Sequence, residues 1–91
     1  MSLKELQYFV ALAEIGNFGQ AAKSCQVSAS TFSCMVKKLE NDLGVVLFDR
    51  TARKKIILTP IGRQLVRSAR VIRVEVERMR RLACQSTIDL I

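Results

Sequence analysis

Residues 27–44 have the sequence VSASTFSCMVKKLENDLG and predict a helix with two different faces. Ser28 is a good N-cap, because its hydroxyl can accept a hydrogen bond from a free backbone N–H group of the first turn. Val27 can pack on Phe32 at the fourth helical position, and Gly44 ends the helix. At helical spacing one face is apolar and the other is polar without acidic residues. The apolar face comprises Phe32, Val36, Leu39 and Leu43, and the polar face comprises Ser30, Ser33, Cys34, Lys37 and Asn41.

The polar face of this helix is a candidate DNA-contact surface. Short polar side chains with a lysine, near a helix start where backbone N–H groups also point outward, suit base edges and phosphates in a major groove. An ordinary solvated face is the alternative, since most amphipathic helices simply face water. The segments on either side of this helix help to decide between a DNA-contact surface and an ordinary solvated face.

Two shorter helices are predicted before residue 27. Ser2 with Glu5 forms a capping box, and the apolar spacing that follows continues to Gly16, which provides a C-terminal stop. Asn17 with Gln20 repeats the capping pattern and starts a short second helix with small residues.

The second and third predicted helices are joined by a tight turn at Gln26 and Val27. A supporting helix and two helices joined by so short a turn match the helix-turn-helix, in which the later helix enters the major groove. A three-helix packing unit without a DNA function is the alternative.

A two-stranded wing is predicted after Gly44. Residues 45–48 are apolar, residues 49–55 are polar and mostly basic, and residues 55–58 are rich in β-branched side chains. Cations at such a tip can follow the phosphate backbone or enter a minor groove narrowed by A·T pairs. A charged tip that only keeps the protein soluble is the alternative, which does not by itself explain so dense a cluster. The tip cations are Arg50, Arg53, Lys54 and Lys55.

The last element is predicted to be the longest helix. Thr59 is its N-cap, Pro60 its first residue, and no breaker follows Gly62 until about Gln85. A heptad seam of apolar residues predicts a homodimer through this helix. The alternatives are a helix folded back on its own core and a basic helix lying on a membrane. The seam comprises Leu65, Ala69, Ile72, Val76, Met79 and Ala83.

Composition favours one compact basic domain. The chain has 91 residues, is 49% hydrophobic and carries a net charge of +7. The excess lies in the second half, because residues 45–58 hold four basic and one acidic residue and residues 59–91 hold seven and three. This distribution is typical of a protein that binds a polyanion, although a merely soluble basic domain is possible.

Several functions are disfavoured by what the sequence lacks. Three scattered cysteines without a CxxC pair, in a chain without histidine, give no metal site and suit a reducing cytoplasm. There is no catalytic constellation or phosphate-binding glycine loop, so we expect neither an enzyme nor a cofactor. The start is not a signal peptide, and no run is long and apolar enough for a membrane helix, so we expect a cytoplasmic protein with no membrane partner.

The chain closely resembles the DNA-binding module and linker helix of LysR-type transcriptional regulators over nearly its whole length. The resemblance rests on a series of motifs in order. They are residues 6–14 (LQYFVALAE), Phe18 with Ala21-Ala22, Val27-Ser28, Lys38-Leu39-Glu40 with Leu43-Gly44, Leu47-Phe48-Asp49-Arg50, and Leu58-Thr59-Pro60 with Gly62.

This resemblance implies a mainly α fold, a winged helix-turn-helix of three helices and a two-stranded wing followed by a long dimerisation linker helix. It implies sequence-specific binding of double-stranded promoter or operator DNA, as a dimer on an interrupted palindrome, with a dimer of dimers as a further assembly of the full-length protein. The expected organisation is a DNA-binding domain at residues 1–58 and a linker helix at 59–85. Residues 86–91 would be a disordered tail or the start of an effector domain, and the segment, too short to assign from its residues, could begin a strand.

The resemblance also assigns candidate DNA-binding residues. Ser28, Thr31 and Ser33 match polar positions of the family's recognition helix, Lys37 and Lys38 its basic positions, and Arg50 and Arg53 its wing arginines. Ala29 and Ser30 stand where the family usually has Gln-Pro, and Cys34 where it has Arg or Gln, so the customary base contacts do not carry over there. The wing between Arg50 and Thr59 is one residue longer than usual, which leaves the register of Lys54 and Lys55 open.

Residues 22–28, AKSCQVS, look most like the peroxide-responsive, OxyR-like branch of the family. A protein-interaction module, in which the basic helix binds a partner and any DNA binding is residual, is the competing hypothesis. It predicts neither a steep salt dependence nor a large preference for one DNA site.

Overall fold

The computed structural model describes residues 1–51 and 55–89, with side chains described to residue 86. In chain order the elements are α1 (Leu3–Ile15), α2 (Phe18–Ser24), α3 (Ala29–Leu43), β1 (Phe48–Asp49), β2 (Ile57–Leu58) and α4 (Pro60–Asp89). Within these residues no helix is long and apolar enough to cross a membrane.

The predicted caps of the first three helices are confirmed. Each N-cap side-chain oxygen accepts a hydrogen bond from the backbone N–H three residues on: Ser2 from Glu5, Asn17 from Gln20, and Ser28 from Thr31. Gly16 and Gly44 end α1 and α3 in the left-handed conformation, with φ of 76° and 69°. The turn between α2 and α3 places Gln26 at φ 60°.

One core holds the three short helices, the wing and the start of α4 together. The predicted apolar face of α3 is confirmed, since Phe32, Val36 and Leu39 are fully buried and Leu43 is partly buried. Tyr8 stacks on the ring of Phe32 at a centroid distance of 5.1 Å. The remaining buried apolar residues are Phe9, Val10, Leu12, Ala21, Ala22, Leu47, Phe48, Val66 and Ala69.

The wing is an antiparallel pair of two-residue strands, shorter than the sequence predicts. Phe48 pairs with Leu58 and Asp49 with Ile57. The Ile56 N–H donates to the carbonyl oxygen of Gly16 at 3.2 Å, so the returning arm of the wing is attached to the C-cap of α1. The tip prediction falls partly on residues 52–54, which lie outside the described residues.

The start of α4 is locked onto the segment before β1. The Thr59 hydroxyl donates to the carbonyl oxygen of Val46 at 2.7 Å, and it accepts from the Gly62 N–H at 3.0 Å as the predicted N-cap. The Thr59 N–H donates to the carbonyl oxygen of Leu47 at 2.9 Å. These bonds fix where the long helix begins relative to the wing.

Two predictions about the long helix are corrected. The helix does not end near Gln85 but continues to Asp89, so a strand beginning at residue 86 is wrong for residues 86–89. The reason is that residues 85–89 contain no glycine or proline to stop the helix. Ala69 is only 2% exposed and belongs to the core of its own domain, so it is not available to a partner helix.

Candidate nucleic-acid interface

The first turns of α3 bring most of the predicted DNA-binding residues to one surface. Ser28, Ala29, Ser30, Thr31, Cys34, Lys37 and Lys38 are exposed, and Ser33 is half-buried. Ser30, Ser33, Cys34, Lys37 and Lys38 line one open depression together with Asn41. We call this depression and the exposed first turn of α3 the reading face. Asn41 was placed on the polar face by the sequence but was not among the predicted site residues.

The hydroxyl groups at the start of the reading face are ordered by one another. The Ser28 hydroxyl donates to Oγ1 of Thr31 at 2.9 Å and lies 3.3 Å from Oγ of Ser30. Its oxygen also accepts from the Thr31 N–H at 3.2 Å. Because Oγ1 of Thr31 is an acceptor in this chain of bonds, its own proton remains available to an acceptor outside the protein.

The two lysines of the reading face differ in their surroundings. Nζ of Lys38 lies 3.8 Å from Oε2 of Glu5, a carboxylate of α1 that is almost fully buried. Lys37 has no ion pair or hydrogen bond among the residues that the structure describes, and it is exposed. An uncompensated cation attracts phosphate more strongly than one that already has a counter-ion, so Lys37 is the better placed of the two for a polyanion.

A second groove runs between the end of α3, the wing and the start of α4. Three cations line it, namely Lys37, Arg50 and Arg63, together with the carboxylates of Glu40 and Asp49. Sequence reasoning missed Arg63. The signal that could have found it is its place in the first turn of α4, beside a predicted basic wing.

Arg50 is engaged within the protein. Its Nη2 donates to Oε1 of Glu40 at 3.2 Å, and its guanidinium carbon lies 5.2 Å from the ring centroid of Phe18. The side chain of Arg50 is still 40% exposed, at the edge of the second groove.

The outgoing arm of the wing is shaped by Asp49. Its Oδ1 accepts from the Thr51 hydroxyl at 2.6 Å and from the Thr51 N–H at 2.9 Å. These two bonds, the hydroxyl one first, hold the pKa of Asp49 below its usual value. The predicted tip residues Arg53 and Lys54 lie outside the described residues.

The first residues of the predicted dimer seam pack within their own domain, and most of the later ones are exposed. Leu65 is half-buried against the core of its own domain, and Ala69 is fully buried there. Further along, Ile72 is 38% and Met79 69% exposed, Val76 is half-buried and Ala83 is exposed. The first part of the helix therefore folds back on its own core, and the later part of the seam extends beyond it.

A family model for the bacterial regulatory helix-turn-helix proteins of the LysR family matches residues 3–63. The chain belongs to the LysR family. The match covers all three short helices, the wing and the first turn of α4, and the fold is the winged helix-turn-helix with a linker helix that the resemblance implies.

Relatives of the OxyR branch are among the similar LysR proteins. The hydrogen peroxide-inducible genes activator of Pectobacterium carotovorum subsp. carotovorum is 45% identical over 85 residues, which are 93% of this chain and 28% of that protein. A full-length OxyR variant from Pseudomonas aeruginosa superposes with a TM-score of 0.87 at 42% identity, over 93% of this chain and 28% of that chain. The chain thus spans less than a third of the length of these relatives. Their similarity confirms the predicted likeness to the OxyR branch.

A solved LysR complex with DNA has the same fold. The CbnR DNA-binding domain in its DNA complex is 36% identical and has a TM-score of 0.84, over 96% of this chain and 99% of that domain. The similarity therefore extends over a complete domain that was solved on DNA.

Proposed function

We propose that this chain is the DNA-binding module of a LysR-type transcriptional regulator. It binds double-stranded promoter or operator DNA with the reading face in the major groove and the basic wing on the backbone or in the adjacent minor groove. Two copies joined through α4 bind the two halves of an interrupted palindrome. The module has no catalytic role and acts in the cytoplasm.

The observation that carries this proposal is the reading face itself. The helix-turn-helix buries the apolar side of α3. Its opposite side carries hydroxyl groups, the amide of Asn41, and Lys37, which has no counter-ion among the described residues. Short side chains there allow a close approach to base edges, and the hydroxyl groups can both donate and accept hydrogen bonds. The similarity to a LysR domain solved on DNA supports the same use of the surface.

The exposed part of α4 supports dimerisation. Ile72, Val76 and Met79 continue the seam after the helix has left the core of its own domain. All four charged residues of 60–74 are arginines, whereas residues 75–89 hold three acidic and three basic residues. An antiparallel pair of α4 helices would set these unlike halves against each other and avoid opposing the two arginine-rich halves.

The OxyR-like relatives are more than three times as long as the part that this chain matches. In a protein of that length the module would be joined through α4 to an effector-sensing domain, and dimers could pair further into a dimer of dimers. The organisation into residues 1–58 for DNA binding and 59–85 for the linker belongs to this proposal, and the continuation of α4 to Asp89 supports a linker longer by four residues.

Selection of bound fragments from random double-stranded DNA tests the proposal. The purified chain should enrich one palindromic motif with an internal gap, and its affinity for that motif should fall steeply with salt. A protein-interaction module would give no enriched motif and no difference between selected and random DNA. That result would contradict the proposed function.

A further inference from the structure

Arg50 connects three elements that must be aligned for DNA to meet the reading face and the wing together. It follows β1, it bonds to Glu40 near the end of α3, and it lies over the ring of Phe18 at the start of α2. Phe18 in turn packs edge-on against Phe32 at a centroid distance of 6.1 Å. The guanidinium group therefore lies where the wing, the recognition helix and the supporting helix meet.

Glu40 makes this junction specific. Glu40 is only 5% exposed. Its two carboxylate oxygens accept hydrogen bonds from residues at the two ends of β1. Oε2 accepts from the Leu47 N–H at 2.8 Å, just before the strand, and Oε1 accepts from Arg50 at 3.2 Å, just after it. A buried carboxylate needs such partners, because without them its charge is costly to desolvate. The two bonds thus attach the base of the wing to α3.

The shape of the arginine side chain matters here as much as its charge. The guanidinium donates through Nη2 to Glu40 while its central carbon lies over the Phe18 ring. A lysine ammonium is a compact point charge, so it could keep the ion pair but could not at the same time extend a second group over the ring. Since Glu40 already compensates the charge of Arg50, the pair adds little net attraction for phosphate.

We propose that Arg50 is a positioning residue for DNA recognition rather than a phosphate contact. Through Glu40 and Phe18 it sets the direction of the wing relative to α3, and so determines which flanking base pairs the wing reaches while the reading face occupies the major groove. This inference rests on the proposed function and replaces the direct wing contact that the resemblance implies for this residue.

DNA affinity across a salt series, measured for Arg50→Met, Arg50→Lys, Glu40→Gln and the double variant R50M/E40Q, tests the inference. A positioning role predicts that all four lose affinity for the selected palindrome by about tenfold and change the salt slope alike, because each of them misdirects the same wing. The losses should be non-additive, so that the double variant binds no worse than Arg50→Met. The double variant also avoids a lone buried carboxylate if Arg50→Met alone fails to fold. Lys37→Met is the matched control, because an uncompensated cation should lower the salt slope when it is removed.

A phosphate contact predicts the opposite pattern. Glu40→Gln would then release the guanidinium and leave binding unchanged or tighter, Arg50→Lys would retain most of the affinity, and only the two variants with Arg50→Met would lower the salt slope, by about one per protomer. Any of these results would overturn the positioning role.

A measurement without DNA separates this inference from the proposed function. Residual dipolar couplings of backbone N–H groups give the direction of β1 and β2 relative to α3 in the free protein. The wing should reorient in Arg50→Lys and Glu40→Gln, and should keep its direction in Lys37→Met. An unchanged direction in the first two variants overturns the inference even if DNA binds. Failure of the wild-type chain to select DNA overturns the proposed function, while the couplings still decide the role of Arg50 in orienting the wing.

Discussion

The carbonyl oxygen of Leu47 lies beside Gly62, so closely that a β carbon on residue 62 would overlap it. This contact joins the first turn of α4 to the segment leading into the wing, beside the hydrogen bonds made by Thr59. It gives a steric reason for glycine in the Leu-Thr-Pro-x-Gly motif that the sequence shares with its family.

Gly62→Ala should destabilise the domain. The obstacle is backbone rather than the end of a flexible side chain, so relief requires α4 to shift, and overpacking of this kind costs at least about 1–3 kcal/mol. Thermal and urea unfolding monitored by circular dichroism would measure the loss. Gly19→Ala is the matched control, since Gly19 is exposed in α2 with only an ordinary contact to the Asn17 side chain. It should be neutral or stabilising by up to about 1 kcal/mol. Equal effects of the two changes would contradict the proposed contact.

Lys37→Ala should reduce affinity for the selected palindrome more than affinity for random DNA. Lys37 lies on the reading face without a counter-ion among the described residues, so it can reach base edges as well as phosphate. The expected loss is about 1–3 kcal/mol on the selected site. Ser33→Ala should likewise reduce affinity for the selected palindrome more than affinity for random DNA. Fluorescence anisotropy with both kinds of DNA measures the difference, and equal losses on both would refute a base contact.

The pKa of Asp49 provides a test of the wing that does not need DNA. The Thr51 hydroxyl is the largest cause of its depression, so Thr51→Val should raise this pKa toward the ordinary value of 3.8. Because the folded-state pKa is depressed, ionised Asp49 contributes stability above pH 3.8, and this contribution is lost as the pH falls through the folded-state value. NMR titration of the side-chain carboxyl carbons measures the change.

Asp42 is the internal control for that titration. Its pKa is also lowered, chiefly by a hydrogen bond from the N-terminal ammonium group of Met1 at 2.7 Å. Thr51→Val should leave the pKa of Asp42 unchanged. A Thr51→Val variant with an unchanged Asp49 pKa would show that the side-chain hydrogen bond is absent in solution.

The sequence was sufficient for the helices because their ends are set by local chemistry. Ser2, Asn17, Ser28 and Thr59 each accept an N–H from their own first turn, and Gly16 adopts a positive φ, so neighbouring residues alone indicate these boundaries. The end of α4 was missed because no local signal stops the helix at Gln85.

What the sequence could not supply were partners distant along the chain. Heptad spacing placed Ala69 on the dimer seam but could not show that its own domain already covers that position. In the same way, Arg50 was grouped with the wing cations, because charged residues are usually exposed and nothing local indicates that Glu40 is buried beside it. The Ala69 error and the unforeseen Arg50–Glu40 contact both concern which side of an element is already occupied.

Arg53 remains a prediction from the sequence. If it holds phosphate, Arg53→Ala should weaken selected and random DNA alike and lower the salt slope by about one per protomer. If it enters a narrow minor groove, the loss should be concentrated on sites with A·T-rich flanks. Affinity measured on two palindromes that differ only in their flanks distinguishes these outcomes, and no loss on either would remove Arg53 from the interface.

Ile72 is the seam residue whose replacement best tests the link between dimerisation and DNA binding. It is 38% exposed and lies about 160° around α4 from Val74, which is 52% exposed. Ile72→Glu would bury an unpaired carboxylate in a dimer interface, twice because of the symmetry, at a cost of several kcal/mol. The domain core ends before this position, so the variant should stay folded and become monomeric.

Val74→Glu is the matched control, because it adds the same charge to the same helix on the face away from the seam. Analytical ultracentrifugation should show a monomer for Ile72→Glu and a dimer for Val74→Glu. On a full palindrome the monomer should lose about 10²–10⁴ in apparent affinity, since the second half-site is no longer linked to the first, while binding to a single half-site is unchanged. A dimeric Ile72→Glu variant, or a monomer that still prefers the full palindrome as strongly as the wild type, would show that α4 does not couple the two reading faces.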